Sequence, residues 1–125
     1  MKYYPEGKGS MSPVLYHNPQ CSKSRAALAL LQERGVAPKV VEYLKTPPDA
    51  KTLKTILKAL GMPPRALIRK TEAEYKASGA DDPTLSDDAL IALMVRFPKL
   101  IERPIYVVGN HACIGRPPEK VLELC

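Results

Sequence analysis

A chain of 125 residues, 45% of them hydrophobic, has the size of one compact domain and enough apolar side chains for a real core. Its apolar runs fall far short of the roughly 18 residues that a membrane span needs, and no charged leader precedes an apolar stretch, so a soluble, unexported, cytoplasmic protein is expected. The net charge of +6, from 19 basic against 13 acidic residues, favours anionic partners without choosing among nucleic acid, phosphate and small oxyanions.

The first dozen residues, 1–12, mix Gly, Lys, Tyr and Ser without periodicity. They read as a disordered tail or expression remnant ahead of a single domain over 13–125. Pro13 to Tyr16 is short and apolar, which predicts a first strand. It runs into His17-Asn18-Pro19-Gln20-Cys21, a loop of turn formers. From Ser22 helix formers take over, with Ala27, Leu28 and Leu31 on one side, until Gly35 supplies a stop. Cys21 therefore stands where a helix begins.

Val40-Val41-Glu42-Tyr43-Leu44 predicts a second strand, completing a βαβ unit. Leu53, Ile56, Leu57 and Leu60 have helical spacing, begun near Thr46-Pro47-Pro48-Asp49 and ended by Gly61. A stretch around Ala66-Leu67-Ile68, then a helix capped by Ser86 with Asp87 and Asp88 in its first turn, fill a helical middle section. Beyond Pro98, Pro104 to Val108, the pair Gly109-Asn110 and His111 to Ile114 predict a β-hairpin. Arg116-Pro117-Pro118-Glu119 then opens a short helix carrying Val121 and Leu122. This order fits a thioredoxin-like α/β layout, a small mixed sheet flanked by helices with a helical insertion between its halves.

The cysteines Cys21, Cys113 and Cys125 are odd in number and widely spaced, unlike the disulfide framework of a secreted domain, so a reducing compartment fits better. A thiolate is the reactive form of cysteine, and unpaired N–H groups and aligned peptide dipoles at a helix start stabilise it. Lys23, Arg25 and His17 would add positive charge, and the Ser24 hydroxyl could donate a hydrogen bond to the sulfur. Together these would bring the Cys21 pKa into the range of about 3.5 to 7.5 found for activated thiols. The alternative is a small hydrophobe under a loop, which the polar, basic surroundings argue against. Cys113 reads as a space-filling strand residue and Cys125 as a frayed end. No C-x-x-C pair exists, since Ser24 stands three after Cys21, so a resolving thiol has to come from outside. His17 is read as a group orienting the loop, His111 as inert, and no metal-ligand spacing appears, so no metal is expected.

Arg69, Arg103 and Arg116 each sit beside a structural boundary. A fold that starts the hairpin at Pro104 opposite the cysteine loop would bring those boundaries together. The planar guanidinium fork suits a tetrahedral oxyanion because it stays charged and can bind two oxygens at once. Arg65 and Arg69 are four apart and would share a helix face, one binding the anion and the other exposed. Arg103-Pro104 is a candidate for a cis bond.

The segments His17-Asn18-Pro19-Gln20-Cys21-Ser22-Lys23-Ser24-Arg25, Arg65-Ala66-Leu67-Ile68-Arg69-Lys70, Glu102-Arg103-Pro104-Ile105 and Gly115-Arg116-Pro117-Pro118-Glu119 resemble the glutaredoxin-linked arsenate reductases, in the right order and from Val14 onward. The resemblance implies a thioredoxin-like fold, Cys21 as nucleophile and an oxyanion site of Arg69, Arg103 and Arg116, with His17, Ser24 and Arg25 supporting the loop. It implies that Cys21 attacks arsenate, that glutathione as cosubstrate attacks the adduct, and that glutaredoxin resolves the mixed disulfide as arsenite leaves. No bound cofactor is implied. The chain ends at Cys125 where longer members continue, and so looks closer to a shorter branch. Two competing readings are an Spx-like transcriptional regulator, against which Ser24 in place of a second cysteine argues, and a general glutathione-dependent thiol reductase. Direct nucleic-acid binding has only the charge in its favour.

Overall fold

The computed structural model describes residues 12–124; Cys125, and the expected tail apart from Ser12, lie outside the described residues. The elements run β1 (Val14–His17), α1 (Ser22–Glu33), β2 (Lys39–Glu42), α2 (Ala50–Leu60), α3 (Pro64–Leu67), α4 (Ala73–Ala77) and α5 (Asp87–Arg96). A 3-10 turn at Pro98–Leu100, β3 (Ile105–Val108), β4 (His111–Ile114) and a closing 3-10 segment at Pro118–Leu124 follow. Two compact units result. One joins the residues up to Tyr43 to those from Arg103 onward, and the other is Leu44–Glu102.

The first unit holds the sheet, in the order β2-β1-β3-β4. β1 lies parallel to β2, with Val14 opposite Lys39 and His17 opposite Glu42, and antiparallel to β3, with Leu15 opposite Tyr106. The β3–β4 hairpin pairs Val108 with His111 around Gly109, whose φ of 59° is the left-handed turn geometry that glycine adopts without a Cβ clash. Side chains alternate across β1, burying Leu15 and His17. Ala27 and Leu31 of α1 meet Leu15, Val36, Tyr106, Val108 and Val121 in one core, with Leu28, Cys113 and Leu122 packed at its margin. Burying each larger apolar side chain contributes roughly 1.5–3 kcal/mol.

The second unit is helical. Asp49 caps α2 by accepting the Thr52 N–H at 2.8 Å, and Gly61 ends it in the left-handed conformation. Leu53, Ile56 and Leu57 are buried along one face. Ser86 caps α5 through the Ala89 N–H at 3.1 Å, and α5 packs on α2 and α3 through the buried Leu90, Ile91 and Met94. Among the described residues no helix is long and apolar enough to cross a membrane.

Some elements differ from their sequence readings. β1 and β2 each sit one or two residues away, because Tyr43 is buried in a turn and Leu44 is 37% exposed, ahead of Pro47-Pro48. The closing segment is 3-10 instead of an α-helix. α4 has no buried residue, so it carried no apolar period to read.

Gly115 fixes how closely the closing segment approaches the strand start. A Cβ there would lie 2.8 Å from Pro104 Cγ and 3.1 Å from Val121 Cγ1. The Pro104 ring cannot swing away, since Pro104 is itself buried and its carbonyl accepts the Gly115 N–H at 2.9 Å. Gly115→Ala is therefore expected to destabilise the protein by about 1–3 kcal/mol, the usual cost of overpacking, read as a lower midpoint in urea with an unchanged slope.

Candidate active site

The loop after β1 is built from short-range hydrogen bonds. The Asn18 carbonyl accepts the Cys21 N–H at 3.0 Å, and Asn18 Oδ1 accepts the Gln20 N–H at 2.9 Å, a side-chain-closed turn of the kind asparagine favours. Arg25 Nη1 donates to the Pro19 carbonyl at 2.9 Å, tying the loop to the first turns of α1. Cys21 occupies the N-cap position of α1 with extended backbone, φ −96° and ψ 123°, and its carbonyl accepts the Arg25 N–H at 3.0 Å. The sulfur is half-buried at the positive end of a 12-residue helix.

Beneath the loop lies a buried polar cluster. His17 Nδ1 is 2.7 Å from Ser24 Oγ, which also accepts the Asn18 N–H at 3.0 Å, and all three residues are buried. Burial holds the His17 pKa below its ordinary value; Glu42 opposes this and Arg25 reinforces it. Burial thus works against the positive charge expected of His17. One expectation is corrected here: the Ser24 hydroxyl is engaged with His17 and Asn18 instead of the sulfur.

Burial pushes the Cys21 thiol up, yet the balance falls on the other side. The backbone N–H groups of Ser24 and Lys23 and the hydrogen bond and charge of Arg103 together lower its pKa below the ordinary thiol value. Lys23 thus acts through its backbone.

Arg103 and Arg116 come from the return of the chain into the sheet unit. Both precede a proline, and the Arg103-Pro104 and Arg116-Pro117 bonds are both cis. The Arg103 side chain favours the charged form of the sulfur through its donors and its charge. Arg116 Nη1 lies 3.9 Å from Cys21 Sγ and donates to the Arg103 carbonyl at 3.1 Å. One thiol and two guanidinium groups from residues some 80 to 95 positions along the chain are thereby gathered in one unit. Such a site can present a thiolate to a tetrahedral anion while neutralising the anion's charge.

Arg69 belongs to the second unit, and its setting differs from the expected one. α3 stops at Leu67 and Ile68 is extended, so Arg65 and Arg69 do not share a helix face. Arg65 instead donates to the carbonyls of Ala80 and Asp82 at 2.9 and 2.7 Å. Arg69 sits on a short antiparallel pairing. Ile68 bridges Ile101, the Arg69 N–H donates to the Leu100 carbonyl at 2.7 Å, and the Glu102 N–H donates to the Leu67 carbonyl at 2.9 Å. Its largely buried guanidinium ion-pairs with Glu72, at 3.2 Å through Nε, and with Glu102 through Nη1. The two glutamates were not singled out in the sequence. Glu72 lies only three residues after Arg69, a local spacing, whereas the Glu102 pairing depends on the long-range bridge, which no local pattern announces. Asn18 and Gly115 were also passed over as supports, although an Asn before a Pro in a tight loop is a legible turn signal.

The ArsC family model matches residues 16–124 of this chain. The chain belongs to the ArsC family. It is 57% identical over 111 residues to the uncharacterized protein YfgD of Escherichia coli, covering 88% of this chain and 93% of that one. It is 48% identical over 108 residues to an arsenate reductase of Neisseria meningitidis serogroup B, covering 86% and 92%. An arsenate reductase from Vibrio cholerae superposes on the chain with a TM-score of 0.89 at 52% identity, covering 92% of this chain and 98% of that one. The ArsC match and these neighbours confirm the thioredoxin-like α/β fold expected from the order of elements.

A depressed thiol pKa has a consequence for stability. The folded protein releases the Cys21 proton before the unfolded chain does, so stability rises with pH from the folded pKa up to the ordinary thiol value near 9.0. Absorbance at 240 nm should show one thiolate forming below that value, absent in Cys21→Ser, and Cys21→Ser should flatten the rise in stability over the same window. A thiol titrating at or above the ordinary value would refute the assignment.

Proposed function

We propose that this ArsC-family chain is an oxidoreductase that reduces arsenate to arsenite, with Cys21 as nucleophile and Arg103 and Arg116 as oxyanion ligands. The observation that carries the reading is the acidified, half-buried Cys21 sulfur with two guanidinium groups directed at it. Relatives named as arsenate reductases support the choice of anion.

In this proposal the Cys21 thiolate attacks arsenic, a sulfur–arsenic bond forms, and one arsenate oxygen leaves as water after protonation. A glutathione thiolate then attacks the Cys21 sulfur. The sulfur–arsenic electron pair passes to arsenic, which leaves as arsenite, and Cys21 is left in a mixed disulfide with glutathione. Glutaredoxin cleaves that disulfide and returns the thiolate. Two thiols are oxidised to one disulfide while arsenic(V) gains two electrons. The arginines hold the anion's oxygens and offset the charge of a thiolate approaching an anion, while α1 contributes its positive end. Lysine could supply the charge but not the fork. His17, Ser24 and Arg25 keep the loop in shape for the attack, and a reducing cytoplasm supplies the donor thiol. Serine at position 24 leaves no resolving cysteine in the first turn of α1, in keeping with an external donor.

Arg69, in the helical unit, is ion-paired with Glu72 and Glu102.

The test is NADPH-coupled turnover with glutathione and glutaredoxin, comparing arsenate with a model disulfide. Cys21→Ser is expected to be inactive, and Arg103→Ala slowed at least tenfold, about 1.4 kcal/mol in the barrier. Turnover of the disulfide alone, with arsenate inert, would overturn the oxyanion chemistry.

A further inference from the structure

We propose that Arg116 is a positioning residue for Arg103, holding the Arg103 backbone by its carbonyl so that the Arg103 guanidinium stays against the Cys21 sulfur. This goes beyond the proposed reaction, because it concerns how the resting thiol is kept acidic whatever anion is later reduced.

Three observations converge on the Arg103-Pro104 pair, and all come from residues 115–116. The Gly115 N–H donates to the Pro104 carbonyl at 2.9 Å. Gly115, without a side chain, lets the Pro104 ring come within 2.8 Å of where a Cβ would be. Arg116 Nη1 donates to the Arg103 carbonyl at 3.1 Å. The Arg116 backbone is fixed for this by a tight turn in which its N–H donates to the Ile114 carbonyl at 2.9 Å. Residues 115 and 116 therefore act as a latch on the segment that carries Arg103.

Distances decide which of the two contacts of Arg116 matters more before substrate arrives. At 3.1 Å the bond to the Arg103 carbonyl is a normal, charge-assisted hydrogen bond. At 3.9 Å the approach to sulfur is near the outer limit for a sulfur acceptor. The stabilisation of the thiolate comes from Arg103 and the helix N–H groups, and Arg116 is not among its main causes. Arg116 thus reaches the sulfur's acidity through its neighbour.

A double-mutant cycle on the thiol separates this from direct action. The Cys21 pKa would be read from absorbance at 240 nm and, independently, from the pH dependence of iodoacetamide alkylation. The proteins are wild type, Arg103→Ala, Arg116→Met and the double variant. Methionine keeps much of the apolar stem and removes only the donors, and Arg103→Ala leaves the carbonyl in place. Arg103→Ala and Arg116→Met are each expected to raise the pKa. In the Arg103→Ala background, Arg116→Met should change nothing further. Additive shifts would mean that Arg116 acts on the sulfur directly, and an unshifted pKa in Arg116→Met would mean that the latch has no effect; either overturns the inference. Should Arg116→Met unfold, Arg116→Lys, which keeps charge and one donor, is expected to hold the pKa near wild type, and a pKa as high as that of Arg103→Ala would overturn it. Neither readout involves arsenate, so the result leaves the proposed substrate to its own test.

Discussion

The sheet unit is organised around favouring the charged form of one sulfur that is partly out of water. Burial alone opposes that charge, so the chain compensates with partial charges and full charges from separate sources: the Ser24 and Lys23 N–H groups of α1 and the guanidinium of Arg103. Each source needs its own support. The helix start depends on the His17–Asn18–Ser24 cluster beneath the loop, and Arg103 depends on how the chain re-enters the sheet before β3. Much of the local architecture is explained by these two supports.

The buried cluster also explains why polar residues occupy positions that hydrophobic ones could fill. His17, Asn18 and Ser24 are each nearly inaccessible, and each spends its polar atoms on the loop. An apolar residue at position 24 would leave the Asn18 N–H without its acceptor, at a cost of roughly 1–3 kcal/mol for a buried unsatisfied group. The histidine's Nδ1 is engaged with Ser24 beneath the loop, where burial disfavours its charged form.

Sequence and structure agree best where the signal is local. The N-caps Asp49 and Ser86, the Gly61 stop and the hairpin at Gly109-Asn110 were legible because each is decided within a few residues. The position of Cys21 at a helix entrance was legible for the same reason. The surroundings of Arg69 were not. A helical spacing of four suggested a shared face, but the chain leaves the helix after Leu67 to pair with residues more than thirty positions away. Nor did composition distinguish the role of Ser24, whose hydroxyl and N–H turned out to serve different neighbours. Family motifs named the residues, while what each of them touches came from the geometry.

The identity of residue 24 carries one more consequence. A thiolate acidic enough to attack an oxyanion is also the form that peroxide oxidises first, giving a sulfenic acid. In many redox proteins a neighbouring cysteine traps that species as an internal disulfide before further oxygen is added. The first turn of α1 offers a serine hydroxyl instead, already committed to His17 and Asn18. Under the proposed reaction, protection of Cys21 from irreversible oxidation would then fall to the same external thiol that catalysis consumes, so that survival and turnover would draw on a common reserve.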